Sequence, residues 1–455
     1  MKKIKTQVCI LGAGAGGTGC AYRLIKNGIK TVVVDQNPDF GGTAVFSGVD
    51  GWEPGVSLNG IHQLLKNELE QMDNACHVVE VVPNMNLFDP SVGIDWSKHS
   101  FKDRPFGFSM ATGCSYEDTF KRCTSIRGEH GPYRRFQFEP DCMRQAIHNI
   151  FAPYKTYLTT FFNHTYKACT TDNGKVKNII ITDEDGNQTG IFADYFVDSS
   201  GDIVLARDAG CEYFFGTEGK EDFNEPSATE KSNSINAVTY VFRIAKVSDN
   251  THIDEIPEIY KNTDISEWEK MEMRKTVSCF VKYPNGDINI NMLPTMQGTE
   301  YFNYGSCADV VGRARVYKYW HYLQTEKKMN GYTLKRIFNA GVRESYRLKG
   351  KYVLREQDLR AGILKQPKIG RTIAIADHMM DVHGKNGLAK ELDFPYEIPL
   401  ECTMTNEFDN LFVACRGASF THLASSSARL SRTILSMGEG LGEYLAEKTK
   451  TVAPY

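Results

Sequence analysis

The chain has 455 residues, 41% of them hydrophobic and 24% charged, and its 53 Lys and Arg nearly balance 56 Asp and Glu for a net charge of −3. This is globular composition, long enough for two or three domains of roughly 100–200 residues, and it lacks the basic excess that nucleic acid or anionic lipid would require. No run approaches the roughly 18 uninterrupted apolar residues of a membrane-spanning helix, and none of the 12 cysteines belongs to a C-x-x-C pair of the zinc, iron–sulfur or redox kind. No metal site is therefore expected. Scattered thiols of this sort read as small buried side chains in a reducing, cytoplasmic compartment. Lys2, Lys3 and Lys5 ahead of Val8-Cys9-Ile10-Leu11 look like the start of a signal peptide, but glycines from Gly12 onward break the apolar run too early.

Taken in chain order, Val8–Leu11 is a continuous apolar run suited to a parallel strand covered on both faces. A helical stretch from Ala21 to Asn27 follows, stopped by Gly28, and Thr31–Val34 is a second β-branched strand closed by Asp35. Residues 60–72 predict a helix with Ile61, Leu64, Leu65 and Leu69 on one face. From Asn84 to Tyr133 no period holds, and the segment reads as an irregular cap or substrate-side insertion. A helix is expected over Asp141–Phe151. Thr156 to Asp198 reads as strands turned at Asp172-Asn173-Gly174 and Asp185-Gly186. Further strands are predicted within Val238–Ala245 and Val277–Leu293, then a helix over Tyr317–Met329, a short strand at Leu411–Ala414 and a long final helix over Ser427–Lys448. There is no internal repeat. The alternation predicts an α/β fold with an inserted second domain.

Gly12-Ala13-Gly14-Ala15-Gly16-Gly17 satisfies G-x-G-x-x-G between the first strand and its helix. In that setting the first glycine allows the tight turn, the second lets backbone approach a pyrophosphate, and the third lets the helix close on the strand. The pyrophosphate would rest on the free N–H groups at the helix start, and Asp35 stands where a ribose hydroxyl is bound. A glycine-rich turn without a ligand is the plainer alternative, but strand, helix, second strand and acidic residue all agree with a dinucleotide. The fingerprint alone does not separate FAD from NAD.

Two further segments bear on that choice. Asp198-Ser199-Ser200-Gly201-Asp202 looks like the second nucleotide-contact motif of flavoproteins with two dinucleotide folds, and Asn410–Gly417 resembles the strand that reaches the ribityl chain. Gly41-Gly42-Thr43-Ala44, Ser47-Gly48-Val49 and Trp52–Gly55 resemble a flavin-side loop. Gly341-Val342-Arg343-Glu344-Ser345 and Asp381-Val382-His383 resemble two internal motifs, and Ser419–Arg429 matches S-x-T-H-x-A-x-x-S-x-R. With these residues the chain resembles the FAD-dependent oxidoreductase family, distantly related to fumarate reductase and heterodisulfide reductase flavoproteins. Asp35 stands where that family more often has Glu, Ser199-Ser200 where it has Ala-Thr, and Ser426 where it has Gly.

The resemblance implies a Rossmann-like FAD-binding domain of the glutathione-reductase type, made of residues 1–60, 150–215 and 400–455. An α+β substrate or cap domain would comprise 61–149 and 216–399. It implies that Gly12, Gly14, Gly16, Gly17, Asp35, Gly42, Thr43, Tyr166, Ser199, Ser200, Gly201, Asp202, Arg416, Ser425, Ser426 and Ser427 bind FAD. Relatives that tether the flavin use a His in the flavin-side loop, and residues 41–60 contain neither His nor Cys, so FAD is expected to be noncovalent. Residues 425–429 would begin the last helix and direct its positive end at the flavin, with Ser427 as cap. His422 is the first catalytic candidate, as proton carrier or substrate orienter, because imidazole titrates near neutrality; a histidine bonded within its own loop is the alternative. Arg343 and Arg429 are candidates for fixing a carboxylate or carbonyl oxygen. His383 reads equally well as part of an ordinary turn, and Arg313, Arg315 and Lys318 read as a solvated helix face.

The expected reaction is hydride transfer between a small organic substrate and flavin N5. A flavin-carrying subunit docked to an iron–sulfur electron-acceptor protein and a flavin monooxygenase are the alternatives. The chain lacks the W-x-W-x-I-P segment of halogenases.

Overall fold

The computed structural model describes residues 1–52, 60–81, 133–384 and 387–451. Apart from Tyr133, the expected insertion Asn84–Tyr133 lies outside the described residues, as does Glu53–Gly55 of the flavin-side loop. The first strand is longer than its apolar run, Lys2–Leu11, and stands inside a seven-stranded sheet. It pairs in parallel with Thr31–Val34 on one side and Gln188–Asp198 on the other. Leu158–Phe161 extends the sheet in parallel beyond Thr31–Val34, and Leu411–Val413 pairs in parallel with the end of Gln188–Asp198. Val8–Leu11 and Thr31–Val34 are buried throughout, which is why they read as unbroken apolar runs. Two antiparallel strands, Lys175–Thr182 and Thr165–Asp172, complete the sheet.

A second, four-stranded antiparallel sheet has the order Val277–Lys282, Ile288–Met296, Val238–Lys246, Tyr332–Ile337. Strand alternation splits its residues between two faces. Tyr240, Phe242, Ile244, Phe280, Ile288, Ile290 and Met292 pack with the helix Ala308–Thr325 into a hydrophobic core of their own. The opposite face carries Thr239, Val241, Arg243, Cys279, Val281, Asn289 and Asn291. The helix of this unit starts nine residues before the expected Tyr317 and ends at Thr325 rather than Met329. Arg315 does not lie on a solvated face: it is 3% exposed and ion-paired to Glu300, while Arg313 and Lys318 pair with Asp309 and Glu269.

The larger core surrounds the parallel sheet and also takes the buried face of the helix Pro140–Phe151, with Met143, Ile147 and Phe151. The fingerprint helix Ala15–Lys26 packs along the last helix, Ser431–Thr451. Their axes come close because glycine faces glycine: a Cβ on Gly19 would overlap the Leu435 carbonyl, and one on Gly438 the Gly16 carbonyl. Among the described residues no disulfide forms, and no helix is long and apolar enough to cross a membrane.

Because the obstruction at Gly438 is backbone that cannot rotate away, Gly438→Val should destabilise the chain by at least the ~1–3 kcal/mol typical of overpacking. Urea denaturation of the purified variant measures this. An unchanged midpoint would mean that the two helices separate freely.

Candidate active site

The parallel strands stop in register. Leu11 pairs with both Val34 and Asp198, Val34 with Phe161, and Asp198 with Val413. The residues that follow each strand therefore leave from one edge, the carboxyl edge at which open α/β sheets bind ligands. A cleft of about 560 Å³ lies there, between this edge and the polar face of the antiparallel sheet.

On the first wall, Gly12 has φ +108°, and a Cβ there would overlap the Ser199 carbonyl. Cβ atoms on Gly16 and Gly17 would overlap the carbonyls of Ala414 and Gly12. These three glycines therefore serve the packing of the loops against one another. Gly14 differs: a Cβ there meets nothing within 4 Å, and it opens onto the cleft. It is also the N-cap of Ala15–Lys26 and has no capping side chain, so first-turn N–H groups are left to a ligand. Asp35 accepts hydrogen bonds from the backbone N–H groups of Ala13 (2.5 Å) and Asn37 (2.7 Å). Burial pushes its carboxyl up, against the pull of these bonds.

Ser199, Ser200, Gly201, Asp202 and Arg416 line the cleft beside Gly42 and Thr43. Arg416 donates to Asp202 (2.6 Å), which also accepts from Ser345 Oγ (2.7 Å). An ungated approach at Gly14, uncapped helix N–H groups, a buried acidic acceptor and a cleft of this size fit a bound dinucleotide.

The far end gathers charge. Arg343, His378, Asp381, His383 and Arg429 all line the cleft. His383 Nε2 lies 2.7 Å from Asp381 Oδ2, and Arg429 donates to the Asp381 carbonyl (3.0 Å) with its carboxylate 3.7 Å away. Burial pushes His383 below its ordinary value, aided by Arg343 and Arg429 and opposed by Asp381. Burial would raise Asp381, but His383 and Arg429 outweigh it and hold the carboxyl well below the usual range. Arg343 donates to the Ala237 carbonyl (3.0 Å) and to Thr239 Oγ1 (2.5 Å). Burial and the nearby Arg429 charge press it down to about 9, still cationic at neutral pH.

Gly12 and Gly17 serve loop packing and do not line the cleft, and five further expected site residues are not brought to it. Tyr166 donates instead to Asp208 (2.6 Å) on the sheet's antiparallel extension. Ser425, Ser426 and Ser427 are wholly buried in a separate short helix, His422–Ala428. Ser426 Oγ donates to the Leu423 carbonyl, and Ser427 Oγ contacts Tyr396 (2.7 Å) and the His378 carbonyl. Thr421, not Ser427, is the cap of that helix, accepting from Ala424 N–H (3.2 Å). The long helix begins only at Ser431, and it is Leu430, Ser431 and Arg432 that reach the cleft. A run rich in Ser and Thr offers several competing caps, and sequence alone does not choose among them.

His422 is the fifth. Its side chain is 6% exposed, and Nδ1 lies 2.9 Å from Glu344. Glu344 in turn pairs with Arg347 (3.0 Å), and Arg347 with Glu218 (2.9 Å). Burial raises Glu344, but His422 and Arg347 overcome it and bring the carboxyl down to about 2. Conversely, the sequence reading passed over His378, and for His383 it left an ordinary turn equally open. It also passed over Asn289 and Asn291, which a polar–apolar alternation in Ile288-Asn289-Ile290-Asn291-Met292 does reveal.

A family model described as FAD dependent oxidoreductase matches residues 7–451, nearly the whole chain. The chain belongs to the FAD-dependent oxidoreductase family. Its cofactor is FAD, and it is an oxidoreductase with a Rossmann-like nucleotide fold. The small chain of NADPH glutamate synthase from Halomonas elongata is 50% identical over 40 residues, which is 9% of this chain and 8% of that protein's length. A geranylgeranyl bacteriochlorophyll reductase-like protein from Thermoplasma acidophilum superposes with a TM-score of 0.47 at 11% identity, covering 99% of this chain and 79% of its own. The p-nitrophenol 4-monooxygenase of Pseudomonas putida gives 0.45 at 10% identity, covering 100% and 82%.

In this family member, Gly14→Val should leave a folded, soluble chain that loses its flavin absorbance, since the added side chain enters only the cleft. Full FAD occupancy in Gly14→Val would remove this turn from the cofactor site. His422→Ala should instead cost stability, on the order of the ~3–5 kcal/mol of a broken buried pair. Glu344 is held at about 2 against an ordinary 4.5, so its contribution is complete above pH 4.5 and lost as pH falls toward 2. Without His422 the carboxyl sits higher, so this acid loss should be smaller and complete at a higher pH, as thermal midpoints measured against pH will report.

Proposed function

We propose that this flavoenzyme exchanges hydride with a small carboxylate-bearing substrate, held at the charged end of the cleft. Bound FAD supplies the two-electron chemistry at flavin N5. The observation that carries the reading is Arg343. It lines the cleft, its bonds go to a carbonyl and a hydroxyl, and among the described residues no carboxylate lies within ion-pair distance of it. A half-buried guanidinium bonded only to neutral acceptors suits an incoming anion. Arg429 adds a second positive charge.

His383 would move the proton. With Nε2 directed at Asp381, Nδ1 is the nitrogen left to take a proton from the substrate's hydroxyl or amine as the hydride leaves its carbon. Asp381 holds the ring in place and steadies its charged form. This moves the proton role from His422 to His383, and leaves His422 to hold Glu344, the neighbour of Arg343 in the chain. FAD is proposed to be noncovalent, and the final electron acceptor to be a separate molecule.

The test is anaerobic stopped-flow reduction of the FAD-loaded protein by a panel of small hydroxy and amino acids. His383→Gln should keep FAD and slow reduction by roughly 100- to 10,000-fold. Since His383 titrates below 6.5, the wild-type rate should hold through neutrality and fall at lower pH as the ring protonates, and the variant should lose that limb. Arg343→Met should chiefly weaken substrate binding. A normal rate and pH profile in His383→Gln would refute the proton role.

A further inference from the structure

Five polar side chains, Asp50, Gln137, Arg243, Tyr283 and Asn289, are knitted together where the flavin-side loop meets the polar face of the antiparallel sheet. Tyr283 O–H donates to Asp50, Gln137 Nε2 donates to Asp50 Oδ1 and to Tyr283 (2.9 Å), and Arg243 Nε donates to Asn289 Oδ1 (2.6 Å). Asn289 Nδ2 donates to Asp50 as well, so both ends of that amide are engaged. The directions follow from chemistry, because a carboxylate only accepts and a guanidinium only donates.

Two amides on the same wall are not so closed. With its Nε2 committed to Asp50, Gln137 has Oε1 left over, and this oxygen is buried and accepts from no group among the described residues. The side chain is wholly buried yet lines the cleft. Asn291 lines it too, and its Oδ1 is likewise buried with no donor among the described residues. A buried acceptor with no partner costs about 1–3 kcal/mol unless something fills it.

The position of Asn291 relative to the cation follows from strand register. Arg343 is bonded to Thr239, and Val241, the next residue on the same face, stands opposite Asn291. Two residues of strand separate them by roughly 7 Å. We propose that Gln137 and Asn291 form a donor-reading subsite. On the reading that Arg343 binds the substrate's carboxylate, the substrate carries a hydroxyl, amine or amide N–H at its other end, roughly 7 Å from the acid group.

The experiment is calorimetric titration of the FAD-loaded protein with hexanoate, ω-hydroxyhexanoate, ω-methoxyhexanoate and the neutral ω-hydroxyhexanamide. ω-Hydroxyhexanoate should bind about tenfold or more tightly than its methyl ether, which keeps the oxygen but cannot donate. Asn291→Leu should abolish that preference and Asn291→Asp, which keeps an acceptor, should retain it. Equal affinity for hydroxy and methoxy acids in the wild type overturns the subsite while leaving the anion reading intact. A hydroxyl preference among the acids together with equal affinity for ω-hydroxyhexanoate and ω-hydroxyhexanamide supports the subsite and overturns the anion reading. Failure of every ligand to bind overturns both. A fall in FAD affinity in Asn291→Leu with the ligand preference unchanged would assign the acceptor to the flavin and also overturn the subsite.

Discussion

Parallel backbone pairing along Lys2–Leu11 and Gln188–Asp198 ends at Leu11 opposite Asp198, and Leu411–Val413 pairs with the same strand end. Each neighbour stops within one residue of that line, so the loops holding Gly14, Asp35, Ser199 and Arg416 all leave from one edge. Slippage of one strand would carry its loop away from the others and reverse the faces of its side chains. Burial of the strands on both sides makes such slippage costly. Gly12, Gly16 and Gly17 then let the loops meet at backbone distance, which any Cβ would prevent.

The second wall rests on a different regularity. An antiparallel sheet with one buried face can offer the other to a ligand. Here aromatic and branched residues fix one face against the helix Ala308–Thr325, so Thr239, Asn289 and Asn291 must turn toward the cleft. The polar face is not a loose collection: Asp50 collects donors from Gln137, Tyr283 and Asn289, binding the loop that carries it to the sheet. A dense hydrogen-bonded network of this kind holds side-chain directions that an apolar wall would leave adjustable.

Charge is distributed between a closed cluster and an open one. The closed cluster links His422, Glu344, Arg347 and Glu218, all nearly inaccessible to solvent, and mutual pairing offsets the desolvation of each ion. The open cluster of Arg343, Arg429, Asp381 and His383 borders the cleft. Glu344 and Arg343 are adjacent in the chain yet belong to different clusters, because neighbouring residues in this extended segment point in different directions. That adjacency anchors the open cluster to the closed one.

The local sequence by itself determined the strand–glycine–helix unit, the second strand closing at Asp35, and the alternation of Asn289 and Asn291 with isoleucines. These features depend on periods and turn chemistry within a few residues, and they survive any tertiary arrangement. The later motifs at Ser199 and Arg416 were legible for the same reason, as short strands ending in polar turns. Only the tertiary structure decided which histidine faces the cleft. His422 and His383 are equivalent as residue types, and they are separated by the neighbours each meets: Glu344 in a closed core for one, Asp381 at an open edge for the other. It also decided where the last helix begins, because Thr421, Ser427 and Ser431 are comparable caps until the His378 carbonyl and Tyr396 engage Ser427. Direction in space and partners remote in sequence are properties of packing, and no local pattern encodes them.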